Sequence, residues 1–368
     1  MPGSVTRRAN GKWRARYRDA QGKEHARHFD RKVDAQRWLD EVTTSIVAGT
    51  YVDPAAGRIT FQQFYDDWSA RQLWVTKTRE NADLTVASVA FGELAMSDIR
   101  RSHVELWVKS ASTVLAATTV KTRYVILRSV FRAAVDDRVI AYDPSSGISL
   151  PRRRRADAAL RIPTVGEVGR LLAHADSGRV STRKGFRAYV ALCAFAGLRL
   201  GEAAAVQVGD VDLDRMQLSV TRQLQREGSG YVIRPPKYGS ERTVFLPEDL
   251  ADELSAHMAE HVRDTTSSAW LFRVGDGPMY DNAVTWRWRA TRQAAGLPHV
   301  RLHDLRHFYA SGLIAAGCDV VTVQRALGHA QASTTLNTYS HLWPTAEDRT
   351  RAAAADLMRE ALRPGGDR

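Results

Sequence analysis

The sequence predicts a multidomain α+β protein, in which a small sheet with one helix, an all-helical segment and a mixed, mainly helical segment follow one another. Three observations support this prediction. The chain has 368 residues, more than one ordinary core accommodates. Hydrophobic residues make up 44% of it, enough to bury several cores. The apolar pattern changes along the chain from the alternation typical of strands to the spacing of three and four typical of helices.

The first segment, residues 1–57, is predicted to form a small sheet and one helix. Apolar and basic side chains alternate from Lys12 to Arg18, which predicts a strand, and a second strand is expected to end at Phe29 after a turn. Asp30 is placed to cap a helix that Gly49 ends. The apolar face of that helix comprises Ala35, Trp38, Leu39, Val42 and Ile46.

One face of this sheet is strongly basic. Its cations are almost unmixed with acids along the first strand, so we interpret them as nucleic-acid contacts rather than as an ordinary solvated face. They are Arg14, Arg16 and Arg18.

The second segment, residues 58–150, is predicted to be all helical, with apolar stripes that form its core. The first stripe comprises Phe61, Phe64, Tyr65 and Trp68. The second comprises Val120, Tyr124, Leu127, Phe131 and Ala134, on a helix expected to begin at Thr118 or Thr119. Residues 151–160 follow as an exposed basic linker that can lie along phosphates. Its cations are Arg152, Arg153, Arg154 and Arg155.

The third segment, residues 161–368, mixes helices with strands. Thr164 and Glu167 form a capping box, and an apolar helix that includes Tyr189 ends at Gly197. Strand-like runs at 218–221, 231–233 and 243–246 predict a small antiparallel sheet, after which several helices complete the chain.

The composition limits the possible partners. The formal net charge is +12 and the pI about 9.9, so the protein concentrates on polyanions. Nucleic acid is the first candidate. An anionic membrane is the weaker one, because no run of about 18 apolar residues, secretory signal or lipidation signal is evident. We therefore expect a cytoplasmic protein without a membrane partner.

No cofactor is expected. The two cysteines, Cys193 and Cys318, lie among small or apolar neighbours and are interpreted as buried core thiols. The sequence has no CxxC pair, no GxxxxGK[ST] loop and no GxGxxG after a strand, so nothing indicates bound zinc, ATP or a dinucleotide.

Four local motifs in the third segment carry chemistry. They are Gly197-Leu198-Arg199-Leu200-Gly201-Glu202, the turn 236–244 with Lys237, His303-Asp304-Leu305-Arg306-His307, and Leu327-Gly328-His329 followed ten residues later by Tyr339. Each motif alone has an ordinary interpretation. The two histidines of the third are spaced like a zinc pair, but that helix carries Asp304 in place of a glutamate base, and Arg306 adds a fixed cation. Zinc is therefore disfavoured.

Together the motifs resemble the tyrosine recombinases, the family of the phage integrases and of the recombinases that resolve chromosome dimers. The order Arg…Lys…His-x-x-Arg…His…Tyr covers the third segment without a missing member. The first two segments resemble the family's arm-type DNA-binding domain, expected as a three-stranded sheet plus helix, and its helical core-binding domain. The resemblance implies strand cleavage and rejoining through a 3′-phosphotyrosyl intermediate, without metal or ATP.

The resemblance also implies the partners. They are double-stranded DNA with core-type and arm-type sites, and further copies of the chain in a homotetramer on that DNA. A host DNA-bending protein and an excision factor are candidate helpers, since such helpers are common in the family. The extra basic N-terminal segment favours an integrase over a dimer resolvase.

The residue types suit this chemistry. A tyrosine can hold the phosphodiester energy covalently, because a phenolate leaves phosphorus more readily than an alkoxide does. We assign Tyr339 as the nucleophile and regard its rival Tyr309 as core. Planar guanidiniums can clamp the non-bridging oxygens, a task assigned to Arg199 and Arg306.

The remaining roles follow from the resemblance and from ordinary acid–base chemistry. Lys237 is expected to protonate the leaving 5′ oxygen. His303 is expected to assist removal of the tyrosine proton or to orient the phosphate, and His329 to donate to a non-bridging oxygen. Glu202 is expected to orient its neighbours, and His307 to be structural or to support the catalytic side chains. Arg242 is a further candidate DNA contact.

Two alternative functions remain open at this point. A catalytically silent DNA-binding regulator is disfavoured, because it has no reason to keep all six catalytic residue types. A type IB topoisomerase shares the chemistry but ranks lower, because the arm-plus-helical layout is that of integrases.

Overall fold

The computed structural model describes residues 3–19, 22–48, 51–53, 55–152, 161–176, 185–228, 230–343 and 346–362. The chain divides into two compact units, residues 1–159 and 160–368. No helix within these ranges is long and apolar enough to cross a membrane.

The first unit begins with an antiparallel sheet covered by one helix. Its strands are β1 (Ser4–Arg7), β2 (Trp13–Arg18) and β3 (Glu24–Phe29), paired in that order. Helix α1 (Lys32–Val47) packs on the sheet. The core between them contains Ala15, Tyr17, Ala35 and Leu39, with Trp38, Val42 and Ile46 packed against it. The predicted apolar helix face is therefore confirmed.

The predicted start of α1 is wrong by one residue. Arg31, not Asp30, is the N-cap, and its side chain makes no capping hydrogen bond. The guanidinium pairs instead with Asp34 in the first turn, with Nε 2.8 Å from Oδ2. Gly49, predicted to end the helix, lies outside the described residues.

Four further α-helices lie in the described residues of the first unit: α2 (Phe61–Ala70), α3 (Thr76–Val86), α4 (Arg101–Val114) and α5 (Ala117–Asp136). Both predicted aromatic and aliphatic stripes lie in their common core. The rings of Phe61 and Phe131, for example, lie 5.3 Å apart. The predicted start of α5 at Thr118 or Thr119 is slightly late, because Ala116 already has the extended N-cap conformation.

The second unit is mainly helical. Its helices are α6 (Val165–Ala175), α7 (Phe186–Phe195), α8 (Leu200–Ala204), α9 (Glu248–His261), α10 (Asn282–Ala294), α11 (Leu302–Ala315), α12 (Val320–Leu327), α13 (Ala332–Tyr339) and α14 (Ala346–Ala361). The predicted capping box of Thr164 and Glu167 opens α6. Helix α7, which is almost wholly buried, packs against α6, α9 and α11 at the centre of the core.

The strands of the second unit form small antiparallel sheets. One contains β4 (Val211–Asp212), β5 (Gln217–Val220) and β8 (Arg242–Phe245) in the order β4-β5-β8. A hairpin pairs β6 (Gln223–Glu227) with β7 (Gly230–Arg234). A shorter one pairs β9 (Arg273–Val274) with β10 (Gly277–Pro278). The strand predicted at 231–233 thus belongs to a hairpin separate from the sheet that contains the other two predicted strands.

Candidate active site

The predicted catalytic side chains lie at the ends of helices in the second unit. Arg199 is the N-cap of α8, and the HxxR motif occupies the first turns of α11. His329 follows Gly328, the left-handed residue that ends α12, and Tyr339 is the last residue of α13. Lys237 is exposed on the short 3₁₀ turn Lys237–Gly239 between β7 and β8.

Glu202 joins three arginines at the centre of the site. Its carboxylate is 1% exposed. One oxygen lies 2.5 Å from Nη1 of Arg199, and the other lies 2.9 Å from Nη2 of Arg242 and 4.0 Å from Nη1 of Arg306. Burial raises the pKa of Glu202, but the Arg242 hydrogen bond and the three positive charges outweigh it and lower the pKa to about 2. The ionised carboxylate therefore fixes the arginines, which supports its expected orienting role.

The backbone before Arg199 explains why that arginine faces the site. Gly197 has φ +64°, and a Cβ there would lie 2.4 Å from Cδ1 of Tyr309. Helix α7 therefore ends, and Arg199 begins α8 with its amide bonded to Glu202 at 2.9 Å. Nη2 of Arg199 donates to the carbonyl of Gly328 at 3.2 Å, which connects this turn to the end of α12. The side chain keeps 26% of its surface exposed, so a ligand can reach it.

Arg306 is the buried arginine of the pair, with 2% exposure. Its two terminal nitrogens donate to the carbonyls of Gly197 and Leu327, the ends of α7 and α12. Burial, followed by the charge of Arg199, lowers the pKa of Arg306 to about 9, so the guanidinium stays charged at neutral pH. A guanidinium has five N–H donors, so donors remain for a phosphate.

Arg242, predicted to contact DNA, lies against Glu202 in the site. Its side chain is 6% exposed and bonded to Glu202. Its Nε donates to the carbonyl of Ala326 at 3.1 Å, and its Nη1 to the carbonyl of Ser240 at 3.4 Å. Although contact with DNA stays a prediction, this guanidinium is bonded to protein acceptors. It joins β8 to the end of α12, a role that no local sequence signal indicates.

Tyr339 is buried at the end of α13. It is 1% exposed, and its hydroxyl lies 2.7 Å from Nδ1 of His307. Burial raises the pKa of Tyr339 to about 12, although the charge of Arg306 opposes this. His307, expected to be structural or supporting, therefore contacts the predicted nucleophile directly.

His329 and His303 complete the group. Nδ1 of His329 lies 2.9 Å from Oγ1 of the fully buried Thr335, a residue that the sequence analysis missed because nothing distinguishes it locally. Burial, followed by the charges of Arg306 and Arg199, lowers the pKa of His329 to about 4. His303 is exposed at the edge of the site, and its ring lies 4.8 Å from that of His307.

The arginines predicted to contact DNA in the first unit lie close to an acidic side chain. Glu24 on β3 lies 3.1 Å from Arg14, 3.7 Å from Arg16 and 3.9 Å from Arg18, so an acid is interspersed among the cations. Arg16 and Arg18 are nevertheless exposed, as is Arg152. Arg153, Arg154 and Arg155 lie outside the described residues.

The possible metal ligands found in the described part of the chain lie in the first unit. Within the described ranges, the group of three possible metal ligands is Asp19, His25 and Asp53 in the first unit, where the ammonium of Lys23 lies 3.2 Å from Asp53. Cys193 is buried as predicted, whereas Cys318 is only partly buried. Both thiols are free.

Two regions of the chain match protein families. Residues 164–345 match the phage integrase family, and residues 1–48 match the N-terminal domain of phage integrases. The chain belongs to the phage integrase family of tyrosine recombinases. The predicted recombinase class and fold class are thereby confirmed.

Related integrases are similar in sequence over most of the chain. The putative prophage phiRv2 integrase of Mycobacterium tuberculosis is 26% identical over 375 residues, covering 98% of this chain and 96% of the relative. The integrase of Mycobacterium phage L5 is 25% identical and covers 82% of each chain.

Solved structures share the fold. The Tn1549 transposon integrase in complex with transposon right end DNA has a TM-score of 0.68 at 19% identity, over 82% of this chain and 100% of that one. A lambda integrase dimer bound to a COC′ core site has a TM-score of 0.57 at 18% identity, over 94% of this chain and 97% of that one.

Proposed function

We propose that this integrase recombines specific DNA sites with Tyr339 as its nucleophile, and that it integrates or excises a phage or another mobile element. The observation that carries this proposal is the arginine cluster on Glu202, together with the hydrogen-bonded Tyr339 hydroxyl. Guanidiniums fixed in advance stabilise charge on a phosphate without reorganisation during the reaction. Arg199 and Arg306 take this role, with Glu202 and Arg242 positioning them.

Each reaction step has a group of suitable chemistry. Attack by Tyr339 on the scissile phosphate forms a 3′-phosphotyrosyl bond and releases a 5′ oxygen, which Lys237 protonates from its exposed turn. His329 is held neutral by its low pKa. We assign Nδ1 as the acceptor in its 2.9 Å contact with the Thr335 hydroxyl, which leaves the proton on Nε2. That Nε2–H donates to a non-bridging oxygen. His303, at the exposed edge, orients the phosphate.

We propose four successive segments along the chain. They are an arm-binding domain at 1–57, a core-binding domain at 58–150, a linker at 151–160 and a catalytic domain at 161–368. Arginines of the first sheet and of the linker contact phosphates of double-stranded DNA. Four strand cleavages need four tyrosines, so we propose a homotetramer on DNA in the cytoplasm. The lambda integrase, whose fold is similar with a TM-score of 0.55, was solved as a tetramer bound to a Holliday junction. A host DNA-bending protein and an excision factor are further proposed partners.

The proposal is tested by trapping the covalent intermediate. Nicked duplexes with randomised inverted repeats are incubated with the integrase, and DNA that stays attached to protein in denaturant is recovered, amplified and used as substrate. Wild type is compared with Tyr339→Phe and with Tyr309→Phe, a matched loss of one hydroxyl from a partly buried tyrosine near the site. We expect an adduct from wild type and Tyr309→Phe but none from Tyr339→Phe. No adduct from wild type after repeated selection rounds would leave DNA binding alone as the function.

A further inference from the structure

The hydroxyl of Tyr339 has a partner that the family motif does not identify. Nδ1 of His307 lies 2.7 Å from this hydroxyl, and the two rings lie 5.7 Å apart. His303, the histidine of the HxxR motif, lies one helical turn earlier on α11 and contacts the His307 ring edge to face. The histidine in hydrogen-bond contact with the attacking oxygen is therefore the one that follows Arg306.

We propose that His307 is a catalytic residue, whose Nδ1 receives the proton of Tyr339 as the phenolic oxygen attacks the scissile phosphate. This inference rests on the proposed function of Tyr339 as nucleophile. A phenol is a better donor than acceptor, so the 2.7 Å contact is assigned as the hydroxyl donating to an unprotonated Nδ1. The proton of neutral His307 then resides on Nε2.

The surroundings of His307 keep its ring neutral, so that Nδ1 can accept a proton. Burial, followed by the neighbouring His303, lowers the pKa of His307 to about 4, so the ring is neutral at physiological pH. Asp304 opposes this effect, while Arg301 and Arg306 reinforce it. From α13 the group that faces the ring is the Tyr339 hydroxyl itself.

The step balances without a further reactant. The phenolic oxygen forms a bond to phosphorus, its proton moves to Nδ1 of His307, and the bond from phosphorus to the 5′ oxygen breaks. The leaving oxygen takes a proton from Lys237. A weak base suffices, because the phenolic proton becomes far more acidic as the oxygen bonds to phosphorus. Rejoining reverses each transfer.

Removing the basic nitrogen while keeping a polar side chain tests the proposal. In His307→Asn the amide can still meet the hydroxyl but cannot take a proton at neutral pH. We expect adduct formation on the selected nicked duplex to fall on the order of 10²–10⁴-fold. His307→Ala should be impaired as well, and added imidazole should restore part of its rate. A wild-type-like rate for His307→Asn would overturn the proposal.

A substrate with a sulfur leaving group separates His307 from Lys237. In a 5′-bridging phosphorothiolate duplex the leaving thiolate needs no proton, so Lys237→Ala should regain cleavage. His307→Asn should remain slow, because its defect concerns the nucleophile. Rescue of both variants alike would assign His307 to the leaving group and overturn the proposal. Failure of wild type to form any adduct would instead remove the proposed function on which the inference rests.

A measurement without DNA covers the case in which both variants misfold. Long-range ¹H–¹⁵N correlation spectra of ¹⁵N-histidine-labelled integrase report which ring nitrogen carries the proton. We expect His307 at neutral pH to be protonated on Nε2, with an Nδ1 signal that shifts in Tyr339→Phe. A His307 protonated on Nδ1, or doubly protonated, would contradict the proton transfer.

Discussion

Replacement of Glu202 by glutamine should destabilise the second unit by about 3 kcal/mol. The carboxylate contacts Arg199 and Arg242 and lies 4.0 Å from Arg306. Its pKa falls from an ordinary 4.5 to about 2, and at about 1.4 kcal/mol per pKa unit this difference corresponds to about 3 kcal/mol. Loss of one partner from a buried ion pair typically costs about 3–5 kcal/mol, in agreement with this estimate.

Scanning calorimetry of the full chain is the suitable assay, because we expect the two compact units to unfold in separate transitions. For a unit of about 200 residues, 1 kcal/mol shifts the midpoint by about 2–4 °C. The transition of residues 160–368 should therefore fall by about 6–12 °C in Glu202→Gln at pH 7, while that of residues 1–159 stays in place. Glu241→Gln, at an exposed glutamate directly before β8, is the matched control and should change neither transition.

The stability difference between wild type and Glu202→Gln should depend on pH. Because the folded-state pKa of Glu202 lies below its ordinary value, the carboxylate stabilises the fold fully above about pH 4.5 and loses this contribution as the pH falls through about 2. The difference between wild type and Glu202→Gln should shrink over that range. A shift below about 2 °C at pH 7, or a difference independent of pH, would refute the role of Glu202 as the charge that holds the arginines.

Three further predictions concern the site and the domain layout. Gly197→Ala should lower the free energy of unfolding of the second unit by about 1–3 kcal/mol in the same calorimetric assay, because φ +64° is unfavourable for alanine and its Cβ would overlap Tyr309. Arg306→Lys should slow adduct formation on the order of 10²–10³-fold, because an ammonium cannot span the carbonyls of Gly197 and Leu327 and still clamp a phosphate. Cleavage at the wild-type rate would contradict this prediction. Deletion of residues 1–57 should leave cleavage of a core site intact and abolish integrative recombination between two plasmids, whereas full recombination by the truncated chain would refute the arm-binding role.

The sequence predicts the helix-end motifs of the site well, because each is local. Gly197, predicted to end a helix, does so after α7, and Gly328 ends α12, both with positive φ. The apolar stripes of the helices are equally local. In contrast, strands of two residues such as β4 have no periodicity to detect.

The contacts that organise the site could not be predicted in this way. Arg242 looks like a basic turn residue until the fold brings it to Glu202, 40 residues earlier in the chain, and to Ala326, 84 residues later. The contact of His307 with Tyr339 spans 32 residues. Such pairings depend on tertiary packing, and a single sequence contains no local signal for them.

The most direct measurement identifies the residue that carries DNA. The trapped adduct is digested with nuclease and then cleaved after arginine and lysine, and its peptides are analysed by mass spectrometry. Tyr339 is the single tyrosine of the peptide 326–349, and Tyr309 that of the peptide 307–325. We predict a nucleotide mass on 326–349, with fragmentation placing it on Tyr339. A nucleotide on 307–325, or on any other peptide, would contradict the assignment of the nucleophile.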